Sequence, residues 1–285
     1  MNTLDTELVH QFIKDTLAED VGDGDHTSLA TIPQGTNGKA RLLIKDNGIL
    51  AGVKLAIEIF KVIDANLKLN IFLQDGANVK NGDVAFEVEG SVHSILKAER
   101  LVLNCMQRMS GIATRTHDIV ESLKGTNTRV LDTRKTTPGF RYFEKWAVEI
   151  GGGVNHRFGL YDMILIKDNH VDYSGGIKNA IQNTQQYQQA NGKQLAVEIE
   201  VRNFDELEEA LQTGGIDRIM LDNFSVADLK KAVELIGGRY ATEASGGITA
   251  DTIRSYAETG VDYISVGALT HSVKSLDLSL KAFKQ

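Results

Sequence analysis

Along the second half of the chain, polar and small residues recur where short apolar runs end: Arg134 with Lys135, Lys167 with Asp168, Glu200, Asp222 with Asn223, Ser245-Gly246-Gly247, and Gly267. Gly151-Gly152-Gly153 and His156-Arg157 add one more polar loop. Arg134, His156, Arg157 and Lys167 gather positive charge in a chain whose net charge is -7. Such a pocket suits an acidic small molecule, because arginine forks grip carboxylates and a histidine can bond a second acid group. At Ser245-Gly246-Gly247 and Gly267 the missing side chains let a ligand oxygen reach backbone N–H groups, and a helix is expected to open at residues 249–251. Barrels hold phosphate in this way.

Glu198 and Glu200 lie two apart in an apolar run, so both face the side opposite Val197, Ile199 and Val201. Carboxylates turned into a barrel need cations, whether lysine, arginine or a divalent metal. Glu200, nearer the open end, is the better ligand; the other reading is a structural ion pair with Lys167 or Lys135.

The elements that must position these residues follow from periodicity. Strands are expected at residues 128–133, 163–166, 196–201, 218–221, 241–244 and 262–266, with amphipathic helices including 142–149, 177–189 and 252–258 between them. That alternation is parallel β/α grammar. Asn203 with Glu206 and Ser225 with Asp228 have the spacing of capping boxes, and Gly214 and Gly237 stand where helices stop. Six strands predict an incomplete barrel. Pro138 stiffens the loop after the first of them.

Upstream of residues 110–127 the grammar changes to a mixed sandwich. Residues 39–45 alternate, Asn47-Gly48 is a hairpin signal, and residues 49–51 are expected to pair back across it. A helix over 53–64, strands around 67–73 and 83–92, and a helical stretch over 95–123 follow.

Net negative charge argues against a general nucleic-acid binder. A composition of 42% hydrophobic and 24% charged residues excludes disorder as the main state. No apolar run approaches membrane-spanning length and residues 1–20 lack a signal-peptide pattern, so neither a membrane protein nor an exported one is expected. The single cysteine, Cys105, rules out an intrachain disulfide and reads as a buried helix residue in a cytoplasmic protein. Asp23-Gly24-Asp25 fails as a calcium loop, since Ser28 and Gln34 stand where Gly and Glu are required.

The segment Leu131-Asp132-Thr133-Arg134-Lys135-Thr136-Thr137-Pro138-Gly139 resembles that of the quinolinate phosphoribosyltransferases, also called decarboxylating nicotinate-nucleotide pyrophosphorylases. The resemblance continues in family order through GGGVNHRFGLYD (151–162), ILIKDNH (164–170), EIEV (198–201), LDNF (221–224), ASGGI (244–248) and SVGAL (265–269). Upstream it takes in Ala98-Glu99-Arg100, Ser110-Gly111-Ile112-Ala113-Thr114 and Gly24-Asp25 before Thr27, so it spans nearly the whole chain. One departure is His26, where the family has an aliphatic residue.

The resemblance implies an α/β fold: an N-terminal α/β sandwich (1–114, joined by 272–285) beside an open α/β barrel (115–271). It implies an enzyme of NAD biosynthesis that joins quinolinate to phosphoribosyl pyrophosphate with Mg²⁺, giving nicotinate mononucleotide, CO₂ and pyrophosphate. Neither NAD nor pyridoxal phosphate is expected as cofactor. By motif position, Arg134, His156, Arg157 and Lys167 would hold the two carboxylates of quinolinate, with Arg100 reaching in from a neighbouring subunit of a homodimer. Hexamers of such dimers remain open. Lys135 and Lys167, with Thr133 beside them, would meet phosphoribosyl pyrophosphate; Glu200 and Asp222 would bind ribose hydroxyls or Mg²⁺; Ser245, Gly246, Gly247, Gly267 and Ala268, with His271, would receive the 5-phosphate. Lys135, Lys167, Glu200 and Asp222 are the expected catalytic set. Competing readings are a nicotinate-type phosphoribosyltransferase and a Schiff-base aldolase using Lys167.

Overall fold

The computed structural model describes residues 5–283. In chain order they form α1 (Thr6–Val21), α2 (His26–Thr31), β1 (Asn37–Ile44), β2 (Gly48–Ile49), α3 (Val53–Ile63), β3 (Lys68–Ile71), β4 (Asn78–Val79), β5 (Val84–Ser91) and α4 (Val92–Ser122). Then come β6 (Arg129–Leu131), α5 (Arg141–Ile150), β7 (Ile164–Ile166), α6 (Asp168–Ser174), α7 (Ile177–Asn191), β8 (Val197–Val201), α8 (Phe204–Thr213) and β9 (Arg218–Asp222). The remainder is α9 (Val226–Ile236), β10 (Ala241–Ser245), α10 (Ile253–Ala257), β11 (Tyr263–Ser265), α11 (Ala268–His271) and β12 (Leu278–Ala282).

Two compact units result. The first comprises the chain up to His117, Thr136–Gly152 and the segment from Leu269 onward. Its core is an antiparallel sheet in the order β12-β1-β5-β3. The pairing of Leu42 with Leu280 and of Leu42 with Phe86 stacks buried side chains across three strands. The expected return of the C-terminal segment to this sheet is what β12 does. Gly111 of α4 allows it, because a Cβ there would stand 2.3 Å from the carbonyl oxygen of Lys274. Helix α5 clusters with this unit: Phe140 and Phe143 pack on Phe12 of α1, and the Tyr142 hydroxyl accepts a hydrogen bond from the backbone N–H of Asp5.

One expected pairing is absent. Residues 49–51 do not fold back on β1; β2 pairs with β4 through Gly48–Val79 and Ile49–Asn78. Hydroxyls of α4 explain the preference. Thr114 Oγ1 accepts from the Ile49 N–H and Ser110 Oγ from the Ala51 N–H, so those donors are satisfied without a hairpin.

The second unit, Asp118–Lys135 with Gly153–Ala268, is built on a six-stranded parallel sheet in the order β6-β11-β10-β9-β8-β7. All six strands predicted from the sequence are present. Helix ends fall as expected: Asn203 accepts from the Glu206 N–H, Ser225 from the Asp228 N–H, and Gly214 and Gly237 close α8 and α9. Each such cap contributes on the order of 1 kcal/mol. The expected box at Asn203 does not close, however: the Glu206 carboxylate accepts from the Arg202 N–H. The first and last strands in the order do not pair with one another, so the barrel is open.

Candidate active site

Strand register places the in-strand polar residues Glu198, Glu200, Arg218, Asp222, Glu243 and Ser245 on one face of the parallel sheet. Glu198 pairs with Arg218 and Glu200 with Met220, while Ser245 pairs with Asp222. Alternation puts all six on that face. Side-chain contacts then divide them, Glu198 and Glu243 meeting on Arg218 in a lower tier, while Glu200, Asp222 and Ser245 lie in an upper tier toward the C-terminal strand ends.

In the upper tier, Lys167 Nζ lies 3.7 Å from Glu200 Oε2. Lys167 stands at the N-cap of α6, where its N–H donates to His170 Nδ1. Burial raises the pKa of Glu200 and of Asp222 above the usual carboxylate range; Lys167 draws each back, whereas Asp222 pushes Glu200 further up and Asp168 pushes both. Asn223, at φ 57°, donates through Nδ2 to Asp222 Oδ2 at 2.6 Å and through its N–H to the carbonyl of Ser245. Gly246 follows at φ 95°; a Cβ on it would meet Asn223 Oδ1 at 2.2 Å. Gly247 also has positive φ, at 63°. The helix expected at residues 249–251 starts later, at Ile253, because Thr252 Oγ1 caps a turn by accepting from the Thr249 N–H. Gly267 leads directly into α11, whose first residue is Ala268.

The loop between β6 and β7 is pinned from below. Asp132, fully buried, accepts from the His156 N–H at 2.8 Å, and Val154 bridges to Leu131. His156 Nδ1 accepts from the Arg157 N–H, and its Nε2 lies 3.0 Å from Glu198 Oε2. Arg157 donates through Nη1 to the carbonyl of Met163; partial burial and then the charge of Arg134 lower its pKa. Of the four basic residues expected to share a pocket, His156 bonds to Arg157 and Arg134 lies near enough for Arg157 to feel its charge, while Lys167 pairs with Glu200. Thr133 Oγ1 accepts from the N–H of exposed Lys135.

The lower tier was largely missed by sequence reasoning. Arg218 Nη1 bonds Glu243 Oε2 at 3.0 Å and lies 3.9 Å from Glu198 Oε2, with its guanidinium 4.5 Å from the ring centre of Tyr263. Glu243 is fully buried; burial and the charge of Glu198 push its pKa up to about 7. The argument that Glu198 needs a cation applies equally to Glu243, an isolated carboxylate inside a short strand, and that was the available signal. Donor atoms of His156, Glu198 and Glu243 lie within 4.8 Å of one another, a spacing a metal ion could use, but the Arg218 guanidinium already supplies the cation.

Arg100 and His271 belong to the other unit. Arg100 lies exposed on α4 and lines a cleft of about 590 Å³ with Glu19, Asp20 and Arg108. His271 closes α11, with Nδ1 2.6 Å from Ser272 Oγ. His26, the departure noted above, is exposed beside Asp23, so no aliphatic residue is needed there. The Cys105 thiol is buried and its pKa is pushed up to about 12, which leaves it inert.

Two family models match the chain. "Quinolinate phosphoribosyl transferase, C-terminal domain" covers residues 112–281, and the corresponding N-terminal domain covers residues 25–110. The chain is 46% identical over 286 residues to quinolinate phosphoribosyltransferase [decarboxylating] 2b, mitochondrial, of Nicotiana tabacum, covering 95% of this chain and 81% of that one. It is 43% identical over 262 residues to the probable nicotinate-nucleotide pyrophosphorylase [carboxylating] of Bacillus subtilis, covering 92% and 89%. Among solved structures, the nicotinate-nucleotide pyrophosphorylase from Francisella tularensis superposes with a TM-score of 0.92 at 40% identity, covering 99% of this chain and 98% of that one.

Proposed function

The chain belongs to the quinolinate phosphoribosyltransferase family, and from that premise we propose which of its residues carry the reaction. The activity is decarboxylating phosphoribosyl transfer: quinolinate and phosphoribosyl pyrophosphate give nicotinate mononucleotide, CO₂ and pyrophosphate, a step of NAD biosynthesis.

Arg134, Arg157, His156 and Lys167 bind the two carboxylates of quinolinate. The crowding of Arg134 against Arg157 supports this, since repulsion between two guanidiniums is relieved when a dianion lies between them. Ser245, Gly246, Gly247, Gly267 and Ala268 take the 5-phosphate through backbone N–H groups, together with His271. Thr133 and Lys135 meet the pyrophosphate end.

As the bond from ribose C1 to pyrophosphate breaks, its electron pair leaves with pyrophosphate and positive charge grows on the ribose. Glu200 and Asp222 face that charge, and Lys135 and Lys167 offset the charge on the leaving group. The pyridine nitrogen then bonds to C1. The resulting cationic ring accepts the electron pair of the C–C bond as the adjacent carboxylate departs as CO₂, and a proton from water replaces it. Partial desolvation in the pocket favours that departure.

Glu200 and Asp222 also fit Mg²⁺: they are hard oxygen donors in one tier, and burial first, then the charge of Asp222, raise the pKa of Glu200, so a divalent cation would be welcome there. Mg²⁺ supplies charge neutralisation of the diphosphate. The aldolase reading fits poorly, since Lys167 is about half exposed beside a carboxylate, whereas a Schiff-base lysine is desolvated or set beside another cation.

We assign Arg100 to the site of a second subunit in a homodimer, and the cytoplasm as location, which suits a single buried cysteine. No helix among the described residues is long and apolar enough to cross a membrane.

The observation that carries the reading is the upper tier, where Lys167, Glu200 and Asp222 adjoin the positive-φ turn at Gly246 and Gly247. The test is turnover with Mg²⁺ and phosphoribosyl pyrophosphate, offering quinolinate or nicotinate separately. One CO₂ per mononucleotide from quinolinate alone supports it; nicotinate turnover without CO₂ overturns it.

A further inference from the structure

We propose that Arg108 and Glu144 are positioning residues for phosphoribosyl pyrophosphate, fastening by one ion pair on a buried carboxylate the two chain segments that carry Lys135 and His271. The inference rests on the roles proposed above for those two residues.

Glu144, on α5, has no exposed surface. Its Oε1 accepts from Arg108 Nε at 3.0 Å and from Arg108 Nη2 at 2.8 Å. It also accepts from Thr137 twice: from Oγ1 at 2.9 Å, and on Oε2 from the backbone N–H at 3.1 Å. Arg141, at the start of the same helix, donates through Nε to Thr136 Oγ1 at 2.9 Å. Thr136 and Thr137 follow Lys135 directly, so α5 holds the exit of the loop on which Lys135 stands. Thr137 is itself exposed, so its two bonds to a wholly buried carboxylate are what fix it.

From the other side, Arg108 Nη2 donates to the carbonyl of Thr270, the residue before His271. A planar guanidinium can serve a carboxylate and a carbonyl together because its donors are fixed in a fork; a lysine ammonium at that position cannot span both. Arg108 also shares α4 with Arg100 and lines the same cleft. One arginine thus refers a loop exit and the segment leading to His271 to a common point. Such preorganisation acts on reactant placement, where shifts of about 1 Å cost on the order of a hundredfold.

The test uses Thr137→Val, which removes one exposed hydroxyl donor, and Arg108→Lys, which keeps the charge but loses the fork. Both are assayed by steady-state kinetics against each substrate, by titration with phosphoribosyl pyrophosphate alone, and by thermal unfolding. The expected result is a rise of about tenfold in KM and in the dissociation constant for phosphoribosyl pyrophosphate, with the KM for quinolinate within about twofold of wild type. Equal rises in both KM values, or lower unfolding temperatures with unchanged binding of phosphoribosyl pyrophosphate, would overturn the proposal. If the wild type binds phosphoribosyl pyrophosphate but turns over no quinolinate, the proposed function fails, and the titration still decides the tether.

Discussion

Lys167 Nζ stands 3.7 Å from Glu200 Oε2, joining the end of β7 to the interior of β8 and setting one half-exposed cation against one nearly buried carboxylate. Neither partner is spent on stability alone. The lysine is about half exposed, open to an anionic ligand from the solvent side, while burial keeps Glu200 reluctant to hold its charge without a cation nearby. Glu200→Gln keeps the shape and removes the charge. Its kcat is expected to fall by about a hundredfold or more with the fold intact by circular dichroism. Because burial raises both Glu200 and Asp222, the acid limb of wild-type kcat/KM should lie above the pH at which ordinary carboxylates titrate.

Lys135 lies exposed on its loop, its backbone N–H donating to Thr133 Oγ1. Lys135→Ala should raise the KM for phosphoribosyl pyrophosphate by tenfold or more, on the order of one lost charge-assisted bond, and leave quinolinate binding within about twofold. Isothermal titration with each substrate separates the two effects, and equal losses would remove Lys135 from the pyrophosphate end.

Mixing tests the dimer. Arg100→Ala and Lys167→Ala proteins should each be inactive, and mixed dimers should regain activity if Arg100 completes a partner's site. No recovery after subunit exchange has been verified by mass spectrometry would end that assignment.

Gly246→Ala places a methyl group 2.2 Å from Asn223 Oδ1 at a φ of 95°. The expected cost is about 1–3 kcal/mol of stability together with a KM for phosphoribosyl pyrophosphate raised at least tenfold. Chemical denaturation and substrate kinetics report the two losses separately.

Glu243 gives a pH signature. Its folded pKa of about 7 stands above its ordinary value of 4.5, so the native state holds a proton that the unfolded chain releases between those values. Its contribution to stability is complete below about 4.5 and is lost as pH rises through about 7. Glu243→Gln mimics the protonated form. Relative to wild type, the variant should gain stability progressively from pH 4.5 to 7.5, by on the order of a few kcal/mol; a difference independent of pH in thermal melts would show that Glu243 is charged throughout.

The β/α half was legible because each strand there is a short apolar run bounded by caps that act locally: Asn203 needs only Glu206, and Ser225 only Asp228. The upper tier was legible too, since its residues sit at strand ends that the pattern marks. The pairing of β2 was not. The Asn47-Gly48 signal is local, whereas the groups that decide the matter are hydroxyls of Ser110 and Thr114 on α4, far along the chain. The tier of Glu198, Arg218 and Glu243 escaped for a related reason: a lone carboxylate inside a strand shows that a cation is needed, but which residue supplies it depends on side chains meeting across three strands far apart in the chain. Glu144 was hidden in the same way, reading as one more charge on an amphipathic helix until its partners Arg108 and Thr137 are seen.

The pairing of β12 with β1 imposes an order of events on synthesis. While the chain is being made, β1 can find β5 early, but its other edge stays open until the whole parallel sheet has passed through the ribosome. For that interval the nascent protein carries an exposed strand edge, a template for pairing with a neighbouring chain. Fusions or truncations that disturb Leu278 and Leu280 should therefore harm yield by promoting aggregation of the N-terminal sheet, at a place remote in sequence from the change.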